Sequence, residues 1–555
     1  MNIVLFSMPD SIPHFSPKAW KPPSLACGLL AANTPRHKVF IADLVLRRDD
    51  VPGAVREAMK TYEPSLVGLS AMSFQYDTAR HIAKLIRKEF PKTKIAIGGY
   101  HATLMFMELS EGEDGQYFDF IIRNEGDKSF AELADAVDGN EDYSTIKGLT
   151  YIADGQVYHN PPRELEDLET IAYPDRNARI WTGYGYYMRN LDVLESSRGC
   201  VMACTFCSMQ KMYGKSFRRF PLDRVIADIA DAKAHGVRAI AVGDDNITLD
   251  IPRFEELCDR IVAAGLNDIL YIVQASSHGI ASSPTLVRKM DKANFRIVFL
   301  GIENVSTRSL KHMKKGNIVE KTKQAVRLLH QNRIMIVGGM IIGHPWDNEQ
   351  ELIENYDFFD RLDIDFYGDQ IITPYPKTIS RDEQVEAGYV VNPNDFRWYN
   401  GYWSNIRTDD LTADELLFLR WKHRRMRSTF YKTTQAFRAN FPVIDLLRKV
   451  WFRHYKRARD YIRNRGLRDR QVFEREMTYH IMVNNFFGDR KPYKPFDQVY
   501  AGAGNIVKPA HSTPTPGGKD PIADWQEAID RFSSTAPDAG SKEESHAQPA
   551  ESSSP

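Results

Sequence analysis

Three of the chain's five cysteines lie within eight residues, in the stretch SSRGCVMACTFCSMQKMYG. Cys200, Cys204 and Cys207 form the pattern CxxxCxxC, and Phe206 immediately precedes the third cysteine. Thiolates at such spacing bind zinc or iron–sulfur clusters. A structural zinc site is closed by four protein ligands, commonly two CxxC pairs, and the sequence contains no second pair.

Three thiolates suit a cluster in which one iron has no protein ligand. A 4Fe–4S cube normally takes four cysteines, one for each iron. With three cysteines, the fourth iron keeps an open coordination site that can hold a substrate. The alternative is three apolar cysteines packed in a loop, which the strand before the motif and the strand-helix units after it disfavour. Cys27 and Cys258 have no partners in the sequence, and we expect them to pack as small apolar side chains.

The motif, with its aromatic residue before the last cysteine, resembles the radical S-adenosylmethionine (SAM) superfamily. In that family the open iron chelates the methionine moiety of SAM, and reductive cleavage of SAM releases a 5′-deoxyadenosyl radical. The resemblance implies an enzyme in which Cys200, Cys204 and Cys207 ligate a 4Fe–4S cluster. It does not indicate which residues act on the substrate, so the catalytic residues stay unknown.

Later strand ends resemble the segments of this superfamily that contact SAM. GDDN at 243–246 lies where family members place a Gly-Gly-Glu-like segment against the methionine amino group. QASSHG and GIEN resemble the segments that meet the methionine and the ribose, and 337–345 resembles the apolar segment beside adenine. The SAM-binding residues implied by the resemblance are Phe206, Gly243, Asp244, Asp245, Ser276 and Glu303. An aspartate at a barrel rim is also a common helix cap, and this alternative stays open.

The first 140 residues contain a second candidate site. GLSAMS at 68–73 and IGGYHAT at 97–103 end two successive predicted strands, where open parallel sheets bind ligands. Small residues there let a ligand approach the backbone closely. The pair resembles the cobalamin-binding domain that is often fused in front of a radical SAM barrel. The cobalamin-binding residues implied by this resemblance are Ser70, Gly98 and Gly99.

No histidine is predicted as a cobalamin ligand. The Asp-x-His-x-x-Gly loop that supplies an axial histidine in methionine-synthase-type domains is absent from the sequence. His14 and His101 follow predicted strands, but a lone histidine is more often a packing or surface residue. Radical SAM members of this architecture commonly hold cobalamin without one. The alternative is a Rossmann-like domain that has lost its cofactor.

A regular alternation of strands and helices must position these segments. Apolar runs such as NIVLFS and PSLVGLSA alternate with amphipathic stretches to about residue 138, which predicts a parallel sheet covered on both faces. The alternation resumes between about 191 and 376 with six strand-helix units, which suit a barrel with its chemistry at the carboxyl ends of the strands. The expected fold class is α/β, with an N-terminal Rossmann-like doubly wound parallel sheet, a (β/α)6 partial TIM barrel and a mainly helical C-terminal region.

The chain is too long for one hydrophobic core, since single cores stop growing at roughly 250–300 residues. It has 555 residues, of which 43% are apolar and 26% charged, as in ordinary globular proteins. We expect a cobalamin-binding-like Rossmann domain at 1–140, a hairpin and linker at 141–185, the radical SAM partial barrel at 186–400, a basic helical domain at 401–505 and a disordered tail at 506–555.

The C-terminal domain contains the only clue to the substrate. Residues 420–470 include 17 lysines and arginines against three acids, a net charge of +14. Basic helices with aromatic residues suit an anionic membrane surface, and the aromatic stretch FRWYNGYWSN at 396–405 favours an apolar planar or lipidic substrate. We rank a solvated helix pair whose bases meet acidic residues elsewhere first, the membrane surface second and an RNA-binding surface third.

The function expected from this resemblance is C-methylation of an unactivated carbon. A 5′-deoxyadenosyl radical would abstract hydrogen, and methylcobalamin would supply the methyl group to a hydrophobic substrate such as a lipid, hopanoid or other isoprenoid. Relatives of the same architecture resemble the anaerobic cyclase of bacteriochlorophyll synthesis, so an oxidative cyclase or another C–C bond-forming enzyme acting on a tetrapyrrole or lipid is the alternative. A corrinoid or redox sensor is the non-enzymatic alternative, although no output domain is visible.

The partners and location follow from the same observations. We expect a small hydrophobic substrate, a one-electron donor such as flavodoxin or ferredoxin, and peripheral membrane contact through 420–470. Nucleic acid is not expected, because RNA-modifying methylthiotransferases normally have a second set of three cysteines. Few cysteines, no leader sequence and no apolar run of roughly 20 residues predict a cytoplasmic protein, peripheral at the inner membrane face.

Overall fold

The structure is a computed structural model of the chain. It describes residues 1–12, 20–140, 142–186, 189–427, 464, 466–488 and 490–501. Most of the basic range 420–470 and the whole predicted tail at 506–555 lie outside the described residues.

The first domain is built on a seven-stranded sheet. Its strands follow the order β3-β1-β4-β5-β6-β7-β8, and the pairs from β3 to β6 are parallel. A short strand, β2, lies outside this sheet and pairs antiparallel with β9 (Gly185–Tyr186) of the next segment. The strands are β1 (Asn2–Ser7), β2 (Trp20–Lys21), β3 (Lys38–Asp43), β4 (Leu66–Ser70), β5 (Lys94–Gly98), β6 (Phe120–Ile122), β7 (Leu149–Ala153) and β8 (Gln156–His159).

Helices cover both faces of this sheet. Side chains alternate between faces along a strand, so β1 places Val4 and Phe6 in one core and Ile3 and Leu5 in the other. This is the doubly wound parallel sheet predicted from the alternating apolar runs. The helices are α1 (Leu25–Ala32), α2 (Val51–Tyr62), α3 (Tyr76–Glu89), α4 (Tyr100–Leu104), α5 (Phe106–Glu111) and α6 (Asp127–Gly139).

The hairpin predicted between 141 and 185 belongs to the first sheet. Strand β7 pairs antiparallel with β6, and β8 pairs antiparallel with β7. The hairpin therefore extends the Rossmann-like sheet beyond its parallel strands. The expectation of a hairpin set apart with the linker is corrected here, because the open edge of β6 offers backbone groups that β7 satisfies.

The second domain is a six-stranded sheet in which every neighbouring pair is parallel. Its order, β10-β13-β14-β15-β16-β17, follows the chain from one edge to the other. This confirms the predicted partial barrel. Counting the short strands nearby, this part contains β9 (Gly185–Tyr186), β10 (Leu191–Leu194), β11 (Ser197–Arg198), β12 (Arg218–Arg219), β13 (Ala239–Val242), β14 (Leu270–Ser276), β15 (Phe295–Glu303), β16 (Met335–Ile342) and β17 (Phe366–Ile371).

Helices connect these strands and bury their apolar faces against the sheet. Strand β15 is the longest and bulges between Gly301 and Glu303, at its carboxyl end. The helices are α7 (Met209–Tyr213), α8 (Leu222–Ala234), α9 (Ile251–Ala263), α10 (Ser277–Ser282), α11 (Pro284–Lys292), α12 (Thr307–His312), α13 (Val319–Gln331), α14 (Glu349–Arg361) and α15 (Ile379–Glu386).

The described part of the C-terminal region consists of α16 (Ala413–Arg427), α17 (Asp469–Met482) and α18 (Phe496–Val499). The aromatic stretch at 396–405 packs under these helices, and Tyr399 and Trp403 are buried. Tyr399, Tyr402 and Trp403 thus belong to the core between the barrel and these helices, whereas Phe396 and Trp398 are half-buried. That the stretch favours an apolar planar or lipidic substrate stays a prediction.

Basic residues at the described ends of the range 420–470 meet acids of the chain. Arg420 is buried, with its Nε atom 3.2 Å from the Asp369 carboxylate, and Arg424 also binds Asp369. Arg425 pairs with Glu476 at 2.8 Å. These ends therefore follow the alternative in which the bases have internal partners, whereas residues 428–463 lie outside the described residues.

The C-terminal segment returns to the first strand of the chain. The Arg490 guanidinium lies 3.0 Å from the Asp10 carboxylate, and both side chains are buried. Arg48 donates to the carbonyl oxygen of Val483 at 2.8 Å. These contacts fix the last described residues against the first domain.

No helix among the described ranges is both long enough and apolar enough to cross a bilayer.

A buried ion network attaches the segment before β10 to the barrel. The Arg176 guanidinium lies 2.7 Å from Asp192, 2.7 Å from Asp228 and 2.8 Å from Asp231. Arg179 adds a second cation against Asp192, at 2.8 Å. Arg176, Asp192 and Asp228 are almost fully buried, so their charges stay compensated only while the network is complete.

We expect Arg176→Met to destabilise the protein by about 3–5 kcal/mol, because it leaves buried carboxylates without their main counter-charge. The measurement is the midpoint of thermal unfolding of the full chain. The control is Lys323→Met, which removes an exposed lysine paired with Glu320 and should change the midpoint far less. Equal midpoints for the two variants would contradict the role assigned to the network.

Candidate active site

The three cysteines lie in one loop between β11 and α7. All three are half-buried, and the backbone N–H of Cys207 donates to the carbonyl of Cys204 at 3.3 Å. Neighbouring segments hold the middle of the loop, since Thr205 N–H donates to the Met313 carbonyl at 3.3 Å and its own carbonyl accepts from Ser380 N–H at 3.0 Å. The loop is therefore anchored at the carboxyl edge of the barrel.

Burial favours the neutral form of the three thiols. Burial raises the pKa of Cys200 and Cys204, and it raises the pKa of Cys207 to about 11. Within the described residues, no three Cys, His, Asp or Glu side chains converge closely enough to hold one metal ion. Three thiolates that each bind a different iron of a cube need no such convergence, so the arrangement fits a cluster.

Glu303 ends β15 in an unusual backbone conformation. Its φ angle is +67°, in the left-handed region, and it follows the bulge of β15. The Glu303 carboxylate lies 2.8 Å from the ammonium group of Lys315. That ammonium group lies 5.9 Å from the centre of the Phe206 ring. Non-glycine residues held at positive φ concentrate at functional sites, so the backbone geometry marks Glu303 for a role beyond packing.

The two adjacent aspartates of the GDDN stretch face different partners. Asp244 is buried, and its carboxylate accepts hydrogen bonds at 2.6 Å from the Ser196 backbone, the Ser196 hydroxyl and the Ser197 hydroxyl. Asp245 accepts a 2.8 Å hydrogen bond from the backbone N–H of Gly199, next to the first cysteine. Burial raises the pKa of Asp245 to about 7. We interpret Asp244 as a residue that positions the motif, and Asp245 as the one that borders the site.

Ser276 ends β14 and caps the helix that follows. Its hydroxyl oxygen accepts from Gly279 N–H at 3.0 Å and lies 2.9 Å from the Thr248 hydroxyl oxygen. Gly243, Ser276 and Glu303 thus follow or end three neighbouring parallel strands. The predicted SAM-binding residues lie along one edge of the barrel, beside the cysteine loop, although contact of each with SAM stays a prediction.

A cavity of about 390 Å³ lies between the carboxyl edge of the first sheet and the barrel. The three residues predicted to bind cobalamin all line it. So do Gly243 and Asp245, which the sequence associates with SAM. The cavity is also lined by Tyr100, Ile122, Glu125, Asp127, Glu195 and Arg198.

Two glycines give this cavity its shape. A Cβ atom on Gly98 would meet only atoms of Ile122, at 3.8 and 3.9 Å, so a larger side chain there would extend into the open space. Gly99 has a φ angle of +97°, and a Cβ atom on it would lie 2.8 Å from the Ala71 carbonyl oxygen. A glycine-lined cavity at the carboxyl ends of parallel strands fits a group that packs closely on the backbone.

His101 does not line the cavity. It is buried, and its ring stacks on Tyr76 with centroids 4.2 Å apart. Burial lowers the pKa of His101 to about 3. His14 lies outside the described residues. No histidine is among the described residues that border the cavity, which agrees with the expectation that His101 is a packing residue.

Arg198 joins the two domains beside the cavity. Its guanidinium lies 2.8 Å from Glu125 and 2.9 Å from Asp127 in the first domain, and 2.8 Å from Glu195 in the barrel. Arg218 also binds Glu125, at 2.7 Å. All members of this network are buried or nearly so, and Arg198 lies two residues before the first cysteine.

Sequence reasoning does not single out Arg198, Tyr100 or Lys315. Tyr100 follows the glycine pair and donates from its hydroxyl to the Met209 sulfur at 3.2 Å, which connects the first domain to the helix after the cysteine loop. Lys315 lies close to two other lysines, Lys311 and Lys314, in a segment without a recognisable motif. Only Arg198 has a local signal, since it is part of the cysteine stretch itself.

Comparison with known proteins agrees with this geometry. Residues 194–359 match the Radical SAM superfamily, and residues 28–134 match the B12 binding domain. The chain is 30% identical over 344 residues to the uncharacterized methyltransferase PH0819 of Pyrococcus horikoshii, a match that spans 62% of this chain and 74% of that protein. The chain belongs to the radical SAM superfamily. It is a member with an N-terminal B12-binding domain, so its cofactors are a 4Fe–4S cluster, SAM and cobalamin.

Two further proteins illustrate the range of this superfamily. The chain is 27% identical over 409 residues to the anaerobic magnesium-protoporphyrin IX monomethyl ester cyclase of Rubrivivax gelatinosus, spanning 72% of each protein. It has the fold of the cobalamin-dependent SAM radical enzyme OxsB, whose structure holds aqua-cobalamin and SAM, with a TM-score of 0.61 and 15% identity over 96% of this chain and 83% of that one.

We expect Gly98→Val to weaken cobalamin binding by roughly tenfold or more, since a clash of only ~1.4 kcal/mol has this effect. Gly98 lines the cavity, and a Cβ atom there makes only ordinary contacts with Ile122, at 3.8 and 3.9 Å. The measurement is the cobalamin retained by the full chain after anaerobic loading and gel filtration, read from its absorption spectrum.

The control for this substitution is Gly185→Val in β9, remote from the cavity, where a Cβ atom would meet only the Arg189 carbonyl oxygen at 3.5 Å. Circular dichroism should be the same for both variants. If Gly98→Val retained as much cobalamin as the wild type, the assignment of the cavity would be wrong.

Proposed function

We propose that this enzyme transfers a methyl group to an unactivated carbon of a small hydrophobic substrate. The observation that supports it most directly is the shared wall between the two candidate cofactor sites. Asp245 borders the cavity of the first domain and also binds the Gly199 backbone next to Cys200. A methyl donor and a radical generator separated by one loop could act on the same substrate carbon.

In this proposal, Cys200, Cys204 and Cys207 ligate the cluster, and the cavity around Ser70, Gly98 and Gly99 binds cobalamin. When bound, the cluster and SAM supply a 5′-deoxyadenosyl radical, and methylcobalamin supplies a methyl group. The residues of the chain itself position the cysteine loop. Asp244 holds the serines before the motif, and the three hydrogen bonds it accepts fix where the loop begins.

The residues that we assign to SAM binding lie along the carboxyl edge of the barrel sheet. We assign Phe206, Gly243, Asp245, Ser276 and Glu303 to the SAM site because they lie beside the cysteine loop.

The name of the Pyrococcus horikoshii relative supports methyl transfer. For the substrate we propose a lipid, hopanoid or other isoprenoid, with an electron donor such as flavodoxin or ferredoxin. A cytoplasmic location with peripheral membrane contact through 420–470 stays a prediction, since most of that range lies outside the described residues and the described ends have acidic partners.

A second candidate function is oxidative cyclisation of a tetrapyrrole. It is favoured by the similarity to the magnesium-protoporphyrin ester cyclase, which covers as much of that protein as of this chain. Both candidates need the same cluster and SAM, so they differ only in the fate of the substrate radical.

We expect Cys204→Ala to abolish production of 5′-deoxyadenosine, because the cluster would lose one of its three protein ligands. The assay uses the full chain reconstituted anaerobically with iron, sulfide and hydroxocobalamin, then given SAM and a chemical reductant. Cys258→Ala, in the barrel core away from the motif, is the control and should retain both cluster and product. Production of 5′-deoxyadenosine by Cys204→Ala at the wild-type rate would refute the ligand assignment.

Isotope transfer distinguishes the two candidate reactions. With trideuteromethyl-labelled SAM and either a lipid extract or magnesium-protoporphyrin monomethyl ester, we expect the label to appear in a lipid product by mass spectrometry. A tetrapyrrole product without the label would favour the cyclase instead. Gly98→Val should lose the labelled product while still cleaving SAM, since the substitution narrows the cavity and leaves the three cysteines unchanged.

A further inference from the structure

Lys315 is a half-buried cation next to the cysteine loop. Its ammonium group pairs with the Glu303 carboxylate at 2.8 Å and lies 5.9 Å from the centre of the Phe206 ring, inside the CxxxCxxC motif. Only 19% of the Lys315 side chain and 11% of the Glu303 side chain are exposed. Solvent therefore screens this pair poorly, and its charges act over a longer range than surface charges do.

The segment that carries Lys315 is fixed to the motif by its backbone. Thr205, between the second and third cysteines, donates from its N–H to the Met313 carbonyl at 3.3 Å and from its hydroxyl to the His312 carbonyl at 3.3 Å. Lys315 itself donates from its N–H to the Leu310 carbonyl at 2.9 Å. The ammonium group consequently has a defined position relative to the cysteines.

The charged pair lies against the loop that carries the cysteines. The Lys315 ammonium group faces the ring of Phe206, and Phe206 immediately precedes Cys207. The charges of Lys315 and Glu303 therefore act on any anionic group that the cysteines bind.

We propose that Lys315 and Glu303 set the reduction potential of the cluster, Lys315 raising it and Glu303 lowering it. This rests on the assignment of Cys200, Cys204 and Cys207 as cluster ligands under the proposed function. Both residues act through space on the cluster, so they are positioning residues for electron transfer.

The direction in which each residue shifts the reduction potential follows from the charge of the cluster before and after reduction. A low-potential one-electron donor gives one electron to the cluster, whose core charge falls from two positive to one positive while no bond forms or breaks. With three thiolate ligands, the whole group passes from one negative charge to two. A buried cation stabilises the doubly negative state more than the singly negative state, and a buried anion does the opposite.

The size of the effect follows from Coulomb's law. One unit charge roughly 10 Å from another, at an effective dielectric constant of about 20, changes an equilibrium constant by about tenfold. For a one-electron couple, a tenfold change in the ratio of reduced to oxidised cluster corresponds to about 59 mV.

The test is an anaerobic redox titration of the reconstituted full chain, in which electron paramagnetic resonance measures the reduced cluster. We expect Lys315→Met to shift the midpoint to a more negative potential by about 59 mV, a tenfold loss of reduced cluster at fixed potential. Lys315→Arg, which keeps the charge, should restore the wild-type midpoint. Glu303→Gln should shift the midpoint in the positive direction.

Lys314→Met is the matched control. It removes the same charge from the neighbouring residue, whose side chain is exposed to solvent. Its midpoint should equal that of the wild type. An unchanged midpoint in cluster-loaded Lys315→Met would overturn this inference and leave the proposed function intact. Absence of the cluster signal from the wild type would overturn the ligand assignment and this inference together. If Lys315→Met did not fold, Glu303→Gln would decide, and an unshifted midpoint would overturn the proposal.

Discussion

The guanidinium of Arg198 is the contact on which the arrangement of the two cofactor sites depends. It lies in the barrel, two residues before the first cysteine, yet two of its three carboxylate partners belong to the first domain. Separating the domains would part Glu125 and Asp127 from Arg198, and Glu125 from Arg218 as well, so the whole buried network would be lost together. The cavity and the cysteine loop therefore keep one relative position.

This constraint explains why both sites lie at sheet edges that face each other. The first sheet and the barrel sheet are each parallel, so each gathers its loops at one carboxyl edge. Arg198 and the Tyr100–Met209 contact connect those two edges. A ligand in the glycine-lined cavity and one beside the cysteines are consequently neighbours, although their residues are more than a hundred positions apart in the chain.

Local patterns in the sequence predict much of the fold. Apolar runs identify the parallel strands of both sheets, and short-range hydrogen bonds confirm individual helix starts. Ser283 caps the helix that begins at Pro284, and Thr412 and Glu415 exchange the hydrogen bonds of a capping box. The hairpin β7–β8 joins the first sheet through pairing with β6, which depends on a non-local contact and so is not visible in the sequence.

Within the candidate site, too, the sequence predicts the local pattern but not the contacts that depend on packing. The cysteine spacing is a local pattern and gives the loop directly. Asp244 and Asp245 are adjacent and identical in type, so only the turn of the backbone after β13 decides which one is enclosed by serines and which one borders the cavity. Lys315 differs from Lys314 in nothing but burial, and burial is decided by packing. The buried aromatic residues at 396–405 fill a core for the same reason.

The ion pair between Asp10 and Arg490 has a consequence for biosynthesis. Asp10 follows the first strand, and its buried partner is added to the chain 480 residues later. While the ribosome is still translating the barrel, Asp10 of the nascent first domain lacks the Arg490 guanidinium, and of its cationic neighbours only Arg48 is present. The first domain therefore gains this ion pair only after the C-terminal segment has been synthesised. The last step of co-translational assembly thus takes place at the domain that is synthesised first.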